Sequence, residues 1–102
     1  MRRIVSPRRL REFAAEHPQA ERALDHWERL VNLVNWRTPA DVKQTFNSVD
    51  PVTVKSGRTV YVFNITRAYR LVAAIHFNSG MIYVLRIMTH KEYDRSRWKD
   101  EL

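Results

Sequence analysis

Cysteine is absent from this chain of 102 residues, and glycine occurs twice, as Gly57 and Gly80. Without cysteine there is no disulfide scaffold, no thiolate zinc site and no thiol nucleophile. Two isolated glycines cannot form a glycine-rich phosphate loop, which excludes the familiar nucleotide-binding folds. Long apolar runs are missing too: Leu71 to Ile75 is typical, far short of the ~20 residues that span a bilayer. Met1-Arg2-Arg3-Ile4-Val5-Ser6-Pro7 has the positive opening of a signal peptide but no apolar stretch behind it, so export is not expected and the chain reads as cytoplasmic. His17, His26 and His76 are scattered without carboxylate or thiol companions at ligand spacing, so neither a metal nor another cofactor is expected.

The most informative shortage is of negative charge in one region. Overall the chain carries +7, yet between Asp50 and Glu92 there is no carboxylate, while Lys55, Arg58, Arg67, Arg70, Arg86 and Lys91 accumulate. Residues folded from such a stretch present a surface of one sign, and phosphate backbones are the commonest partner for that. Arginine outnumbers lysine 14 to 4, which favours planar, forked recognition of phosphate.

A hydrophobic fraction of 44% and this length predict one domain, residues 1–102, with a single modest core. Ser6-Pro7 reads as a helix cap followed by proline at the first helical position, and Pro18 ends that helix. Ala20, Ala23, Leu24, Trp27, Leu30, Val31 and Val34 form one stripe of a second helix, and its charged face reads as solvated. Thr38-Pro39 repeats the cap signature and predicts a short helix to about Phe46, with Val42 and Phe46 inward. From Val52 the pattern changes to β-branched and aromatic residues: strands are expected at Val52 to Lys55, Thr59 to Ile65, Arg70 to Phe77 and Met81 to Thr89, with turns at Ser56-Gly57 and Asn78-Ser79-Gly80. Ile4 and Val5 are candidates for a short edge strand.

Strand parity then places side chains. Leu71, Ala73, Ile75 and Phe77 share the face that must meet the helices, and Arg70, Val72, Ala74 and His76 the other. A three-residue turn pairing Phe77 with Met81 sets Val72 opposite Arg86 and Arg70 opposite Met88, so the two arginines are diagonal neighbours on one face, with Ile82, Val84, Met88 and His90 on the same side as Arg86. The competing reading gives each arginine a carboxylate, but the acid-free stretch supplies none.

Val62-Phe63-Asn64, Arg70-Leu71, Arg86 and above all Thr89-His90-Lys91-Glu92-Tyr93-Asp94 resemble the HigB family of toxins from type II toxin–antitoxin modules, within the wider RelE-like group. The likeness extends to the order of a helical first half, Pro39-Ala40-Asp41-Val42-Lys43 before Asn47-Ser48-Val49-Asp50, and a hairpin sheet. It implies an α+β, RelE-like fold: N-terminal helices on one face of a small, mainly antiparallel sheet of three to four strands, then a short C-terminal helix or tail. It also implies an mRNA interferase, an endoribonuclease inhibiting translation, whose relatives cleave mRNA in the ribosomal A site and are neutralised by a helix-turn-helix antitoxin of HigA type. Ile65-Thr66-Arg67-Ala68-Tyr69 departs from the glycine-containing loop of many relatives, adding Arg67 and Tyr69 beside the site.

Metal-free RNA cleavage needs an acceptor for the 2′-hydroxyl proton, a donor for the leaving 5′-oxygen and positive charge for the developing phosphorane. His90 is the leading acid/base candidate, with Tyr93, three residues on, as its partner or as a platform for a base. Arg70 and Arg86 are the candidates for holding the scissile phosphate. Lys55 and Lys91 are read as steering the RNA backbone, with Arg67, Asn64 and Tyr69 as further RNA contacts. The mixed-charge tail, Arg95 to Leu102, either reaches ribosomal RNA through Arg95, Arg97 and Trp98 or frays. Competing readings are a noncatalytic RNA- or ribosome-binding module, a gyrase-poisoning toxin of the same superfamily, and a protein whose basic face is covered by an acidic partner.

Overall fold

The computed structural model describes residues 3–102, so Met1 and Arg2 of the basic N-terminal opening lie outside it. The chain forms β1 (Arg3–Val5), α1 (Arg8–Glu16), a 3-10 turn (Pro18–Ala20), α2 (Glu21–Leu33), α3 (Pro39–Thr45), β2 (Asp50–Thr53), β3 (Thr59–Asn64), β4 (Tyr69–His76), β5 (Met81–Thr89), α4 (His90–Asp94) and α5 (Arg97–Glu101). This is the expected α+β architecture, but its sheet has five strands rather than three or four, in the order β1-β5-β4-β3-β2. Ile4 and Val5 do form an edge strand, parallel to β5, whereas the other pairings are antiparallel.

Local chemistry explains most boundaries. Thr38 and Asp41 close a reciprocal capping box at α3, each side chain accepting from the other's backbone N–H, with Pro39 at the first helical position. Before α1, however, the Ser6 side chain does not act as a cap. Ser6 adopts a left-handed φ of 65°, Pro7 is already helical, and only the Ser6 carbonyl takes part, accepting from Arg9 N at 3.1 Å. The strand after Asp50-Pro51 begins at Asp50 itself, because β2 is an edge strand and tolerates a residue without an N–H.

The β4–β5 hairpin differs from expectation in an instructive way. His76, not Phe77, pairs with Met81, leaving a four-residue turn from Phe77 to Gly80 in which Gly80 has φ 71°. The register then shifts between Val72 and Ala73, where Leu85 is an extra residue in β5. Beyond this bulge Val72 pairs with Arg86 and Arg70 with Met88, the pairings expected from a three-residue turn, because the longer turn and the bulge offset one another. Before it, Ile82 and Val84 join the core of the N-terminal helices, so they do not share a side with Arg86 and Met88.

Two apolar clusters result. The larger joins Leu10, Leu24, Trp27, Val31, Trp36 and Val42 to Tyr61, Phe63, Leu71, Ala73, Ile82 and Val84. The alternate strand residues Val60, Val62, Val72 and Met88 form a second cluster with Val54 and Trp98, flanked by Leu85, Tyr93 and Leu102. Trp98 is 3% exposed and donates Nε1–H to the Tyr93 carbonyl at 3.1 Å, so the C-terminal tail is docked rather than frayed. Among the described residues no helix is long and apolar enough to cross a membrane.

Phe63 is the hub of the larger cluster, its ring 5.5 Å from Trp27, 6.2 Å from Trp36 and 5.3 Å from Phe46. Phe63→Ala is expected to destabilise the protein by ~3–5 kcal/mol, and Thr38→Ala by about 1 kcal/mol through the lost cap. Urea denaturation midpoints check both, and equal losses for the two variants would contradict the hierarchy.

Candidate functional site

The segment Thr89-His90-Lys91-Glu92-Tyr93-Asp94 folds as it does because of a second capping box. The Thr89 hydroxyl accepts from Glu92 N at 3.2 Å, and Glu92 Oε1 accepts from Thr89 N at 3.3 Å and from the Thr89 hydroxyl at 3.1 Å. Thr89 and Glu92 therefore stop β5 and start α4, and Glu92 is occupied in doing so. His90 N donates to the Ala68 carbonyl at 2.7 Å, which fastens the start of α4 to the loop between β3 and β4.

That loop is held from its other side by Arg70. One guanidinium nitrogen, Nη1, donates to the carbonyls of Thr66 at 2.8 Å, Tyr69 at 3.1 Å and Arg67 at 3.3 Å. The same guanidinium lies over the Tyr93 ring, its Cζ 5.8 Å from the centroid, a cation–π arrangement. Trp98 stacks on Tyr93 with centroids 5.4 Å apart and an interplanar angle of 19°. Arg70 and Tyr93 are thus in contact, and the backbone of His90 is fastened to the loop that Arg70 holds. Asn64 is exposed directly across from Arg70 in the β3–β4 register, and Arg67 is exposed in the intervening loop.

The other candidates are placed differently. Arg86 sits diagonally from Arg70 across the hairpin but is not unpaired: Nη1 donates to the Leu85 carbonyl at 2.8 Å, and Nη2 lies 3.6 Å from Glu101 Oε1. The acid-free stretch did not foretell this partner, because Glu101 arrives from α5. Lys55 is exposed after β2, its backbone N–H donating to the Lys99 carbonyl at 3.0 Å, and Lys91 is exposed on α4. Tyr69 is a correction. It is 5% exposed, packed edge-on against Phe13 at 5.4 Å and near His17 at 5.3 Å, so its ring is a core group unavailable to stack on a base. The reason is parity: β4 starts at Tyr69, which therefore points with Leu71 and Ala73 into the larger cluster.

Two acids complete the site. His90 Nε2 is 3.2 Å from Asp94 Oδ2, an i,i+4 pair readable from helical spacing once α4 is recognised. An imidazole that carries a proton on Nε2 alone, the nitrogen facing Asp94, has its lone pair on Nδ1. Burial pushes the Tyr93 phenol above its ordinary value near 10; the Asp50 and Asp94 carboxylates add to the rise and the Arg70 guanidinium opposes it. Tyr93 is consequently a protonated phenol at neutral pH, able to donate a proton. Among the described residues no group of three or more His, Asp or Glu side chains is arranged to hold a metal ion.

In an ultraviolet absorbance titration, the transition missing from Tyr93→Phe is expected above the ordinary tyrosine value. Asp50→Asn should move it down and Arg70→Gln further up. An ordinary transition indifferent to both charges would contradict this electrostatic description.

With this geometry in place, sequence comparison is informative. A family model described as the HigB toxin, the RelE-like toxic component of a toxin–antitoxin system, matches residues 20–96. The chain is 30% identical over 92 residues to the mRNA interferase toxin HigB of Escherichia coli (strain K12), an alignment covering 89% of this chain and 86% of that protein. The same identity and coverage hold for the mRNA interferase HigB of Escherichia coli O157:H7 and of Shigella flexneri. Since the matched span contains β2 to β5, the Arg70 loop and the whole of α4, the chain belongs to the HigB family of RelE-like toxins.

Proposed function

We propose that this protein is an mRNA interferase, an endoribonuclease that cuts ribosome-bound message in the A site by attack of a ribose 2′-hydroxyl on the adjacent phosphorus. The observation that supports the reading is that α4, which carries His90 and Tyr93, is fastened by the 2.7 Å bond from His90 N to the Ala68 carbonyl to the loop held by Arg70, whose guanidinium covers the Tyr93 ring. The similarity to proteins named mRNA interferase HigB supports it. In this mechanism the His90 imidazole, oriented by Asp94, takes the 2′-hydroxyl proton as the oxygen attacks. The bond from phosphorus to the 5′-oxygen breaks, leaving a 2′,3′-cyclic phosphate, and Tyr93 donates its phenolic proton to the departing oxygen. Arg70 and Arg86 balance the charge gathering on the phosphorane oxygens, while Arg67, Asn64, Lys55 and Lys91 hold the strand. All of these groups belong to the chain itself, and the reaction is proposed to proceed without a metal.

The openness of this constellation supports the proposed ribosome dependence. The His90 and Asp94 side chains are 52% and 60% exposed, so the protein alone does little to align the nucleophile with the leaving group. Correct alignment is a large part of such catalysis, and the A site is proposed to provide it. Membership of a toxin–antitoxin family implies an antitoxin partner; we assign it to the HigA type, with a helix-turn-helix, and the toxin to the cytoplasm.

Primer extension on a defined message, ribosome-bound and free, tests the reading. Cleavage is expected only on ribosomes, with His90→Ala and Tyr93→Phe each lowering the rate by ~10²-fold or more. Full activity of His90→Ala would remove it from the chemistry, and efficient cutting of free message would remove the ribosome requirement. Absence of cleavage by folded wild-type protein in either format would favour a noncatalytic RNA-binding module or a gyrase-directed toxin.

A further inference from the structure

The two arginines assigned to phosphate are held in different ways. Arg70 is fixed by three backbone carbonyls, whereas Arg86 is tied through Nη1 to the Leu85 carbonyl alone, and its other terminal nitrogen, Nη2, faces a carboxylate at 3.6 Å, an ion-pair distance outside good hydrogen-bond range. That carboxylate, Glu101, is 61% exposed at its side chain, yet its position is not accidental. Buried Trp98 anchors α5, and the bond from Lys55 N to the Lys99 carbonyl, at 3.0 Å, fastens it to the turn after β2. A docked helix thus carries a loosely held anion to Arg86.

Around this contact lies a cleft of about 270 Å³ whose lining includes Arg86, Met88, Glu92, Arg95, Arg97 and Glu101. Glu92 is engaged in the α4 cap. Among the described residues, neither Arg95 nor Arg97 forms an ion pair. Three arginines thus line a space in which, among the described residues, the one lining carboxylate outside the α4 cap is Glu101, and a flexible, solvated side chain held at 3.6 Å is readily displaced by a polyanion.

We propose that this cleft is a phosphodiester subsite for the RNA strand, taking a phosphate that flanks the scissile one, and that Glu101 is its resting anion, displaced when RNA binds. The inference rests on the reading of the chain as an RNA-cleaving toxin, and it adds Arg95 and Arg97 as strand-binding residues and Glu101 as a competitor that sets affinity through Arg86.

The test is fluorescence-anisotropy binding of an uncleavable 2′-O-methyl RNA to the full chain at several salt concentrations, alongside ribosome-bound message cleavage. Glu101→Gln is expected to tighten binding by ~2- to 5-fold at low salt, the scale of an exposed ion pair. The gain should exceed that of Glu21→Gln, which removes the same charge from the exposed start of α2, and should vanish when Arg86→Gln is combined with Glu101→Gln. Arg95→Gln and Arg97→Gln should each weaken binding and lower the salt slope by about 1. A Glu101→Gln gain no larger than that of Glu21→Gln, or one that survives loss of Arg86, overturns the subsite while wild-type cleavage still stands. No RNA binding by any variant also overturns it, and if cleavage is absent as well the nuclease reading falls with it.

Discussion

One extra residue in β5 decides which way the second half of that strand points its side chains. Leu85 is unmatched in the ladder, so Ile82 and Val84 enter the core beneath the N-terminal helices while Arg86 and Met88 turn to the opposite side. Without the bulge, strict alternation would put Arg86 on the same side as Ile82 and Val84, in the company of Trp27 and Phe63, where a guanidinium has no partner. The bulge therefore lets the first half of one strand pack under the N-terminal helices while the second half sends Met88 into the other apolar cluster and Arg86 toward Glu101.

Beyond the bulge, the site is assembled mainly by backbone groups. The Thr89–Glu92 capping box sets the angle at which β5 becomes α4, and the bond from His90 N to the Ala68 carbonyl joins that corner to the β3–β4 loop. Arg70 holds the same loop through three carbonyls and covers Tyr93. The loop thus keeps its shape without a glycine, since its carbonyls are satisfied by a side chain that also belongs to the candidate site. Trp98 completes the arrangement by backing the Tyr93 ring and closing the second apolar cluster, so the last helix supports the site as well as ending the chain.

Much of this was legible in the sequence. Runs of β-branched residues located β3, β4 and β5 to within a residue, and Thr38-Pro39 marked α3, because these signals depend on local backbone preference. The hairpin register was right at Arg70 and Arg86 but wrong at the turn, since a longer turn and a bulge each shift pairing by one residue and cancel. Tyr69 was misplaced by taking the strand to begin one residue late, although its parity with Leu71 already pointed inward. The Glu101–Arg86 pair left no local trace, as it depends on where α5 docks; the hint was Trp98 and Leu102 in a mostly polar tail.

Pro51 gives the sheet a further property. It lies in β2, at one margin of the five-stranded sheet, beside the exposed charge of Asp50, and the other margin is the three-residue β1. A proline cannot contribute an N–H to a neighbouring strand, and a strand as short as β1 offers little to pair with. Both margins are therefore poor templates for another strand, which discourages copies of this basic protein from zipping edge to edge into fibres at high concentration.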